Sequence, residues 1–475
     1  MDVLLTHAYF LEADAHERQI MRPYPPLGLL YLSAYLKAHD LDVGVYDTTF
    51  STRQQFEQHL RRHRPAIVGI YANLMTRAQV VESIAACRRL GAIVVVGGPE
   101  PSNYASEYLG VGADVVVEGE GELTMLELVP HLLEHGAIDL QHIAGIHYLP
   151  EVEGAAPAVP VRTAPRAQIA DLDALPLPDR AAIDIDAYID VWRRHHGAGS
   201  VSLITARGCP FTCNWCSHGV FGFTHRRRSP ARVADELEHI IEHYGPDMVW
   251  YSDDVFTISH RWIHEYADEL QRRDLHIPFE TISREDRLDA PIIERLAAMG
   301  CRRLWVGAES GSQRILDAMQ RRTDARRVER IVRLLQRHGI EAGLFIMLGY
   351  DGEQVSDIEA TVRFLERAAP DRFVTTVAYP IKGTPYYEQV ADRIVQSGPW
   401  ASTSDRDLGV HGRQSDRFYR FATRWMVSEV ERYRLRGQGP GSYGRRAKSY
   451  LSSRLGRLGM LATRRQHAGA GGHEC

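Results

Sequence analysis

The chain has 475 residues, 44% of them hydrophobic and 25% charged, with a formal net charge of −5. That length suggests about three domains with room for buried cores, and the composition is that of a soluble globular protein. The slight acidity gives no overall attraction for nucleic acid, and no apolar run approaches the roughly 20 residues of a membrane span. Met1-Asp2-Val3-Leu4-Leu5-Thr6 lacks the charged and apolar regions of a signal peptide. Cys87, Cys301 and Cys475 are scattered and do not make a disulfide framework, so a reducing, cytoplasmic setting is expected.

From the start, strand-like and helix-like stretches alternate. Val3-Leu4-Leu5, Val43 to Asp47, Ala66 to Ile70, Ile93 to Val96 and Ala113 to Val117 read as strands. Leu27 to Ala38, a stretch beginning at Phe56, and Val80 to Leu90 read as helices. Continuous β-branched runs between amphipathic helices predict a parallel sheet covered on both faces, a doubly wound α/β domain over residues 1–135. Such a fold takes its ligand at the carboxyl ends of the strands. Gly97-Gly98-Pro99 and Glu118-Gly119-Glu120-Gly121-Glu122 fall at two of those ends, where glycine lets backbone approach a ligand.

Residues 136–195 carry Pro150, Pro157, Pro160, Pro165, Pro176 and Pro178 among polar residues, which predicts an extended connector with one short strand near His142 to Leu149. From residue 196 strand and helix alternate about six times. Val201 to Thr205, Met248 to Tyr251, Pro278 to Ile282, Arg303 to Gly307, Ala342 to Leu348 and Arg372 to Ala378 are the expected strands. Ser229-Pro230 caps the first intervening helix. After residue 391, Phe418, Phe421, Trp425 and Val430 mark a helix over 417–434. A basic, leucine-dotted segment from Arg445 to Arg465 follows, with Gly456 and Gly459 weakening any helix there. It reads as a solvated tail or a weak contact with an anionic membrane surface. Gly469 to Gly472 is expected to be loose, and Cys475 is not expected to ligate a cluster.

The chemistry is concentrated in Arg207-Gly208-Cys209-Pro210-Phe211-Thr212-Cys213-Asn214-Trp215-Cys216. The C-x3-C-x2-C spacing lets one loop present three thiolates to three irons of a four-iron cluster, leaving the fourth iron open. A zinc site would need another Cys or His, and His218 stands two residues on.

This stretch, with Trp215 just before the last cysteine, resembles the radical S-adenosylmethionine (SAM) superfamily. The resemblance implies a partial (β/α)6 barrel over 196–390 and a [4Fe-4S] cluster on Cys209, Cys213 and Cys216. It also implies reductive cleavage of SAM to a 5′-deoxyadenosyl radical. It assigns SAM contacts to residues past the strand ends. Asp253 and Asp254 would hold the ammonium, with a helix-capping turn as the other reading of Asp254. Arg284 would hold the carboxylate, against a surface salt bridge, and Glu309, beside Ser310 in the Gly-x-Glu-Ser-Gly turn, would contact SAM or its ribose, against a purely structural role. In Leu348-Gly349-Tyr350-Asp351-Gly352-Glu353 an aspartate replaces the family's proline, predicting a less rigid turn. This turn and Pro380-Ile381-Lys382-Gly383-Thr384-Pro385, which resembles the family's Pro-x-x-Gly-Thr-Pro, read as structural more than catalytic, with Tyr350, Tyr379 and Lys382 as the residues of the region that would face substrate on the other reading.

Pro25-Pro26-Leu27-Gly28, Gly97-Gly98 and Gly119-Glu120 together resemble the cobalamin-binding domain found ahead of such barrels, and imply cobalamin contacts at those turns. The Asp-x-His-x-x-Gly motif is absent: Asp14-Ala15-His16 lacks the glycine, and His16 reads as an exposed loop histidine. Members of this group commonly lack that histidine. The combined resemblance implies a cobalamin-dependent radical SAM methyltransferase acting on an unactivated carbon of a small molecule. An external reductant such as flavodoxin or ferredoxin is expected, and no nucleic acid. Oxidative cyclisation or rearrangement without methyl transfer is the alternative, and a non-catalytic sensor a third.

Overall fold

The computed structural model describes residues 1–150, 159–436 and 438–464. Cys475 and the stretch from Gly469 to Gly472 lie outside them. The chain divides into two compact units. The first holds Met1–Pro210, Ser217–Asp253 and Gly398–Ser404; the second holds Phe211–Cys216, Asp254–Ser397 and the chain from Asp405 onward.

In the first unit five parallel strands, β1 (Val3–His7), β2 (Val43–Tyr46), β3 (Ile67–Tyr71), β4 (Ile93–Gly97) and β5 (Val115–Val117), form one sheet. Two antiparallel strands, β6 (Ile146–Tyr148) and β7 (Val161–Arg162), extend it in the order β2-β1-β3-β4-β5-β6-β7. Alternate residues of each run enter different cores, because successive side chains of a strand point to opposite faces. Leu4, Val68, Val94 and Val116 pack on one side with Phe56, Ile84 and Tyr108. Leu5, Ile67, Val95 and Val115 pack on the other with Leu29, Met125 and Leu128. The helices involved are α2 (Leu27–Lys37), α3 (Arg53–His63), α4 (Arg77–Arg88), α5 (Ala105–Gly110) and α6 (Gly121–His135), while α1 (Ala15–Ile20) buries no residue. The continuous apolar runs are therefore buried on both faces, as expected of a parallel sheet.

The connector is less extended than its prolines suggest. It contains α7 (Ile185–His196), capped by Asp184 accepting from the Ala187 amide and ended by Gly197 at φ 78°. Ile185, Tyr188, Ile189 and Trp192 make its buried face. Next come β8 (Ser200–Leu203), β9 (Ala206–Arg207), β10 (Arg226–Arg227), α8 (Pro230–Tyr244) and β11 (Met248–Tyr251), with β8 and β11 parallel. Ser229 caps α8 by accepting from the Arg232 amide. Returning to this unit, Gly398–Ser404 packs Trp400 edge-on against Tyr108.

In the second unit β12 (Phe279–Ser283), β13 (Cys301–Glu309), β14 (Glu341–Leu348) and β15 (Arg372–Val377) are parallel neighbours in that order. They alternate with α9 (His260–Arg272), α10 (Ala290–Ala298), α11 (Gln313–Ala318), α12 (Ala325–Arg337) and α13 (Val355–Ala368). Counting β8 and β11 of the first unit, six strands alternate in sequence with helices from residue 200 to 377. Helix α14 (Pro385–Val390) precedes α15 (Asp416–Arg434), close to the expected helix over 417–434.

The basic segment after it is a helix, α16 (Tyr443–Ala462), not a solvated tail. The glycines that lower its helix propensity are what let it pack: a Cβ on Gly456 would meet the Trp425 amide nitrogen at 2.7 Å, and one on Gly459 the Phe421 ring at 2.5 Å. Among the described residues no helix is long and apolar enough to cross a membrane.

Candidate active site

The two ends of the cysteine loop are braced separately. In the first unit Arg207, two residues before Cys209, is buried between two carboxylates. Its Nη1 donates to Glu120 Oε1 at 2.6 Å and its Nη2 to Glu122 Oε1 at 2.5 Å. Glu120 Oε2 accepts in turn from Arg226 Nη1 at 2.7 Å and the Ile169 amide at 2.9 Å. Gly208, at φ 86°, has no room for a side chain, since a Cβ would meet Thr224 O at 2.3 Å. Asp253 is buried and accepts from the Thr205 amide at 2.7 Å, the Ala206 amide at 3.2 Å, Arg227 Nη2 at 2.7 Å and the Thr205 hydroxyl. Its carboxylate thus ties β11 to the residues leading into the loop.

The other glycine turns pack in the same neighbourhood. A Cβ on Gly98, at φ 121°, would meet Ala72 O at 2.3 Å, and one on Gly219, just past the last cysteine, Pro99 O at 2.6 Å. Gly97 O accepts from the Ala72 amide at 2.8 Å. Gly119, at φ 82°, has Val220 O as its near neighbour, at 3.9 Å from a built Cβ. Gly97, Gly98, Gly119 and Glu120 are accordingly engaged with the chain that flanks the cysteines and with β3.

Within the second unit, Phe211–Cys216 is held by its middle. Asn214 is buried: its Nδ2 donates to Tyr350 Oη at 2.7 Å and to Ala318 O at 3.1 Å, and its carbonyl accepts from the Tyr386 amide at 2.8 Å. Trp215 packs against the cluster of Ile315, Met319, Tyr350 and Tyr386. Sequence reasoning singled out Trp215 and passed over Asn214, whose signal is only its place between two cysteines.

Arg284, immediately after β12, is 4% exposed. It is locked to Asp286 by two hydrogen bonds of 2.9 and 3.0 Å, donates to Arg321 O at 3.1 Å, and stands 3.9 Å over the Phe211 ring. Its Nη1 is 3.7 Å from Cys213 Sγ. Burial raises the Cys213 thiol above its usual range, and the guanidinium works against that rise. Glu309, at the end of β13, adopts φ 56°, a left-handed conformation uncommon outside glycine. Burial pushes its carboxyl up to about 8, with Arg284 opposing and Glu285 adding. Arg321 Nε lies 3.8 Å from it. Ser310 is buried, accepts from the Ser312 amide at 3.1 Å and sits 3.2 Å from the Thr361 hydroxyl, which fixes the turn against α13. Asp254 is exposed in this unit.

The turn after β14 is pinned rather than loosened by Asp351, which takes a two-pronged ion pair from Arg393 at 3.0 and 2.9 Å. Tyr350 is 1% exposed, so it supports Asn214 instead of facing substrate. The His218 ring lies 4.2 Å from the Phe223 ring, tilted by 33°. Among the described residues no three Cys, His, Asp or Glu side chains converge as the ligands of one metal ion do. Thiolates that each take a different iron have no need to converge so closely. Three cysteines on one eight-residue stretch, with a guanidinium donor beside one sulfur, are a donor set that fits an iron–sulfur cluster.

The first unit also holds a cavity of about 640 Å³. It lies past the carboxyl ends of β1 (His7, Tyr9) and β3 (Tyr71, Asn73), roofed by Pro25 to Leu29. In the strand order β2-β1-β3-β4-β5 the chain reverses direction of travel between β1 and β3, where doubly wound sheets bind ligands. Gly28 faces it with nothing within 4 Å of a built Cβ, an open cradle that suits a large cofactor approaching the backbone. The lining histidine, His7, has both ring nitrogens engaged, Nε2 with Asp47 at 2.8 Å and Nδ1 with the Tyr9 amide at 3.3 Å. His16 is 62% exposed on α1, whose N-cap is Asp14.

The B12 binding domain family matches residues 19–129, and the Radical SAM superfamily matches residues 203–365. An uncharacterized methyltransferase of Pyrococcus horikoshii is 29% identical over 399 residues, covering 82% of this chain and 83% of its own. The anaerobic magnesium-protoporphyrin IX monomethyl ester cyclase of Rubrivivax gelatinosus is 27% identical over 406 residues, covering 83% and 71%. The structure of the radical SAM methyltransferase TsrM from Kitasatospora setae, with cobalamin and a [4Fe-4S] cluster bound, superposes with a TM-score of 0.70 at 19% identity, covering 93% of this chain and 90% of that one. With a cobalamin-binding domain ahead of a radical SAM barrel, the chain belongs to the cobalamin-dependent radical SAM enzymes.

Proposed function

We propose that the enzyme transfers a methyl group to an unactivated carbon of a small molecule, with two molecules of SAM consumed per turnover. The observation that carries the reading is the cysteine loop and its bracing: Arg207 anchors the residues leading into it, Asn214 anchors its middle, and Arg284 donates toward Cys213. Cys209, Cys213 and Cys216 would hold the cluster, and the cavity at His7, Gly28 and Asn73 would receive cobalamin. When bound, the cluster supplies the electron that splits SAM and cobalamin carries the methyl group.

The chain's own residues supply position and electrostatics. Glu120 and Glu122 fix the start of the loop; Glu309 and Arg284 offer a carboxyl and a guanidinium for the polar groups of SAM, with Asp254 near the ammonium. Both nitrogens of His7 are committed within the protein, so His7 would line a cobalamin pocket by its ring without a free nitrogen to offer. An external low-potential reductant in a cytoplasmic setting completes the reading. Cyclisation without methyl transfer is the second reading, favoured by the similarity to the Rubrivivax cyclase.

The test is anaerobic reconstitution with iron, sulfide and cobalamin, then methyl-labelled SAM and a strong reductant. Formation of both 5′-deoxyadenosine and S-adenosylhomocysteine, with label passing to an added acceptor, is the expected result. Deoxyadenosine without demethylated SAM in cobalamin-loaded protein would favour the cyclase reading. Neither product, from protein whose Cys213→Ala form behaves identically, would overturn both.

A further inference from the structure

Helix α16 is folded with its leucines outward. Ser453, Gly456 and Met460 make its buried side, with the two glycines seated on α15 at Trp425 and Phe421. On the opposite side Leu451, Leu455 and Leu458, four and three residues apart, form one ridge. They are 61%, 56% and 65% exposed, and Tyr450 and Leu461 widen the ridge at 45% each. A contiguous apolar strip left in water marks an interaction surface, where a lone exposed leucine does not.

The flanks are basic. Lys448 and Arg454 border the ridge by helical position, and Arg445 and Arg446 lie one to two turns before it. No Asp or Glu occurs from residue 432 to 465. Arg457 is turned away from the ridge toward Glu359, at 2.8 Å.

Charge chooses the occupant. Two copies meeting ridge to ridge would bring Lys448 and Arg454 of each against the same residues of the other, with no carboxylate on either helix between them. An anionic lipid surface satisfies both features at once: acyl chains receive the leucines and headgroups receive the arginines and lysine. We propose that α16 is an interfacial helix that seats this enzyme on anionic membrane, lying in the plane of the surface.

The protein, loaded with cluster and cobalamin, would be sedimented with vesicles of phosphatidylglycerol and phosphatidylcholine, and with vesicles of phosphatidylcholine alone. Binding is expected to the anionic vesicles, weakened by salt and at least about tenfold weaker to the neutral ones. Leu451→Ser with Leu455→Ser and Leu458→Ser, all exposed positions, should abolish it without changing the melting temperature. Lys448→Glu with Arg454→Glu should lower it about tenfold. Equal binding to neutral vesicles, no binding to either, or retention by the leucine variant would overturn the proposal. So would a parent that is dimeric by light scattering and becomes monomeric in the leucine variant, since the ridge would then be a self-association face.

Discussion

Arg207 Nη1 lies 2.6 Å from Glu120 Oε1, joining a residue of the cysteine loop to a turn 87 positions earlier. Glu122 completes a clamp in which one guanidinium meets two carboxylates, all three side chains under 10% exposed. Breaking a buried pair by removing one partner leaves an unpaired charge, costing about 3–5 kcal/mol. Arg207→Met is therefore expected to lower stability and to reduce the iron and sulfide retained per chain. Arg207→Lys should not rescue either, because an ammonium cannot reach both carboxylates as a planar fork does. Thermal unfolding and iron quantitation check both points.

Arg284 donates toward Cys213 Sγ and carries a positive charge in a buried setting. Reduction of a cluster adds negative charge, which a nearby cation and N–H donor stabilise. Arg284→Gln should shift the cluster's reduction potential downward, on the order of tens of millivolts. The rate of SAM cleavage at fixed reductant should fall with it. An electron paramagnetic resonance titration measures the potential. An unchanged potential with weakened SAM binding would instead give Arg284 a role on SAM alone.

Gly28 gives the cobalamin site its own test. It lines the cavity at the second position of α2, with open space where a side chain would stand. Gly28→Leu should fold at least as well, because leucine exceeds glycine in helix propensity by about 1 kcal/mol. Cobalamin retained per chain is expected to drop about tenfold or more as the side chain fills the cradle. Formation of 5′-deoxyadenosine should persist while methyl transfer is lost. Full cobalamin retention would move the site elsewhere.

β1, β3, β4 and β5 were readable because each is buried on both faces, so its apolar residues run without interruption, as Val94-Val95-Val96 does. The three cysteines were readable because ligand spacing on one loop is a local property. What was hidden depends on distant partners. Glu120 looked like part of a cofactor turn, and only the fold brings Arg207 and Arg226 to it. Asp351 read as a loosened turn because its partner, Arg393, is 42 residues on. In α16 the low propensity of glycine was a correct local fact that tertiary packing overrode, as close approach to Trp425 requires no side chain at Gly456.

Glu353 predicts a pH dependence of stability. It accepts from the Gly349 amide at 2.6 Å, and burial pushes its carboxyl up to about 8, with the backbone bond opposing and Asp357 adding. In the unfolded chain a glutamate titrates at about 4.3. Below both values the group is neutral in each state and contributes no difference. Between them the folded state keeps a proton the unfolded state releases, so stability falls as pH rises, levelling off above about 8. Glu353→Gln keeps an acceptor for Gly349 and removes the ionisation. Its melting temperature should match the parent near about pH 4 and exceed it increasingly toward about pH 9, an advantage of at most a few kcal/mol. A constant gap across that range would show that Glu353 stays ionised in the folded protein.

Gly456 tests whether α16 owes its place to close packing. Alanine there would be tolerated by the helix itself and even favoured by about 1 kcal/mol of propensity. Its Cβ, however, would sit 2.7 Å from the Trp425 amide nitrogen and 2.9 Å from Trp425 Cα, and a helix backbone cannot yield as a flexible side chain can. Overpacking of this kind costs about 1–3 kcal/mol. The two effects oppose, and for Gly456→Leu the steric cost should win outright. That variant is expected to expose amides of α16 and the facing side of α15 to rapid hydrogen exchange, leaving the exchange of β12 to β15 as in the parent. It should also weaken vesicle binding, because a detached α16 no longer presents Leu451, Leu455 and Leu458 as a fixed ridge. Protection of α16 unchanged from the parent would mean that the helix is held by contacts other than its glycine face.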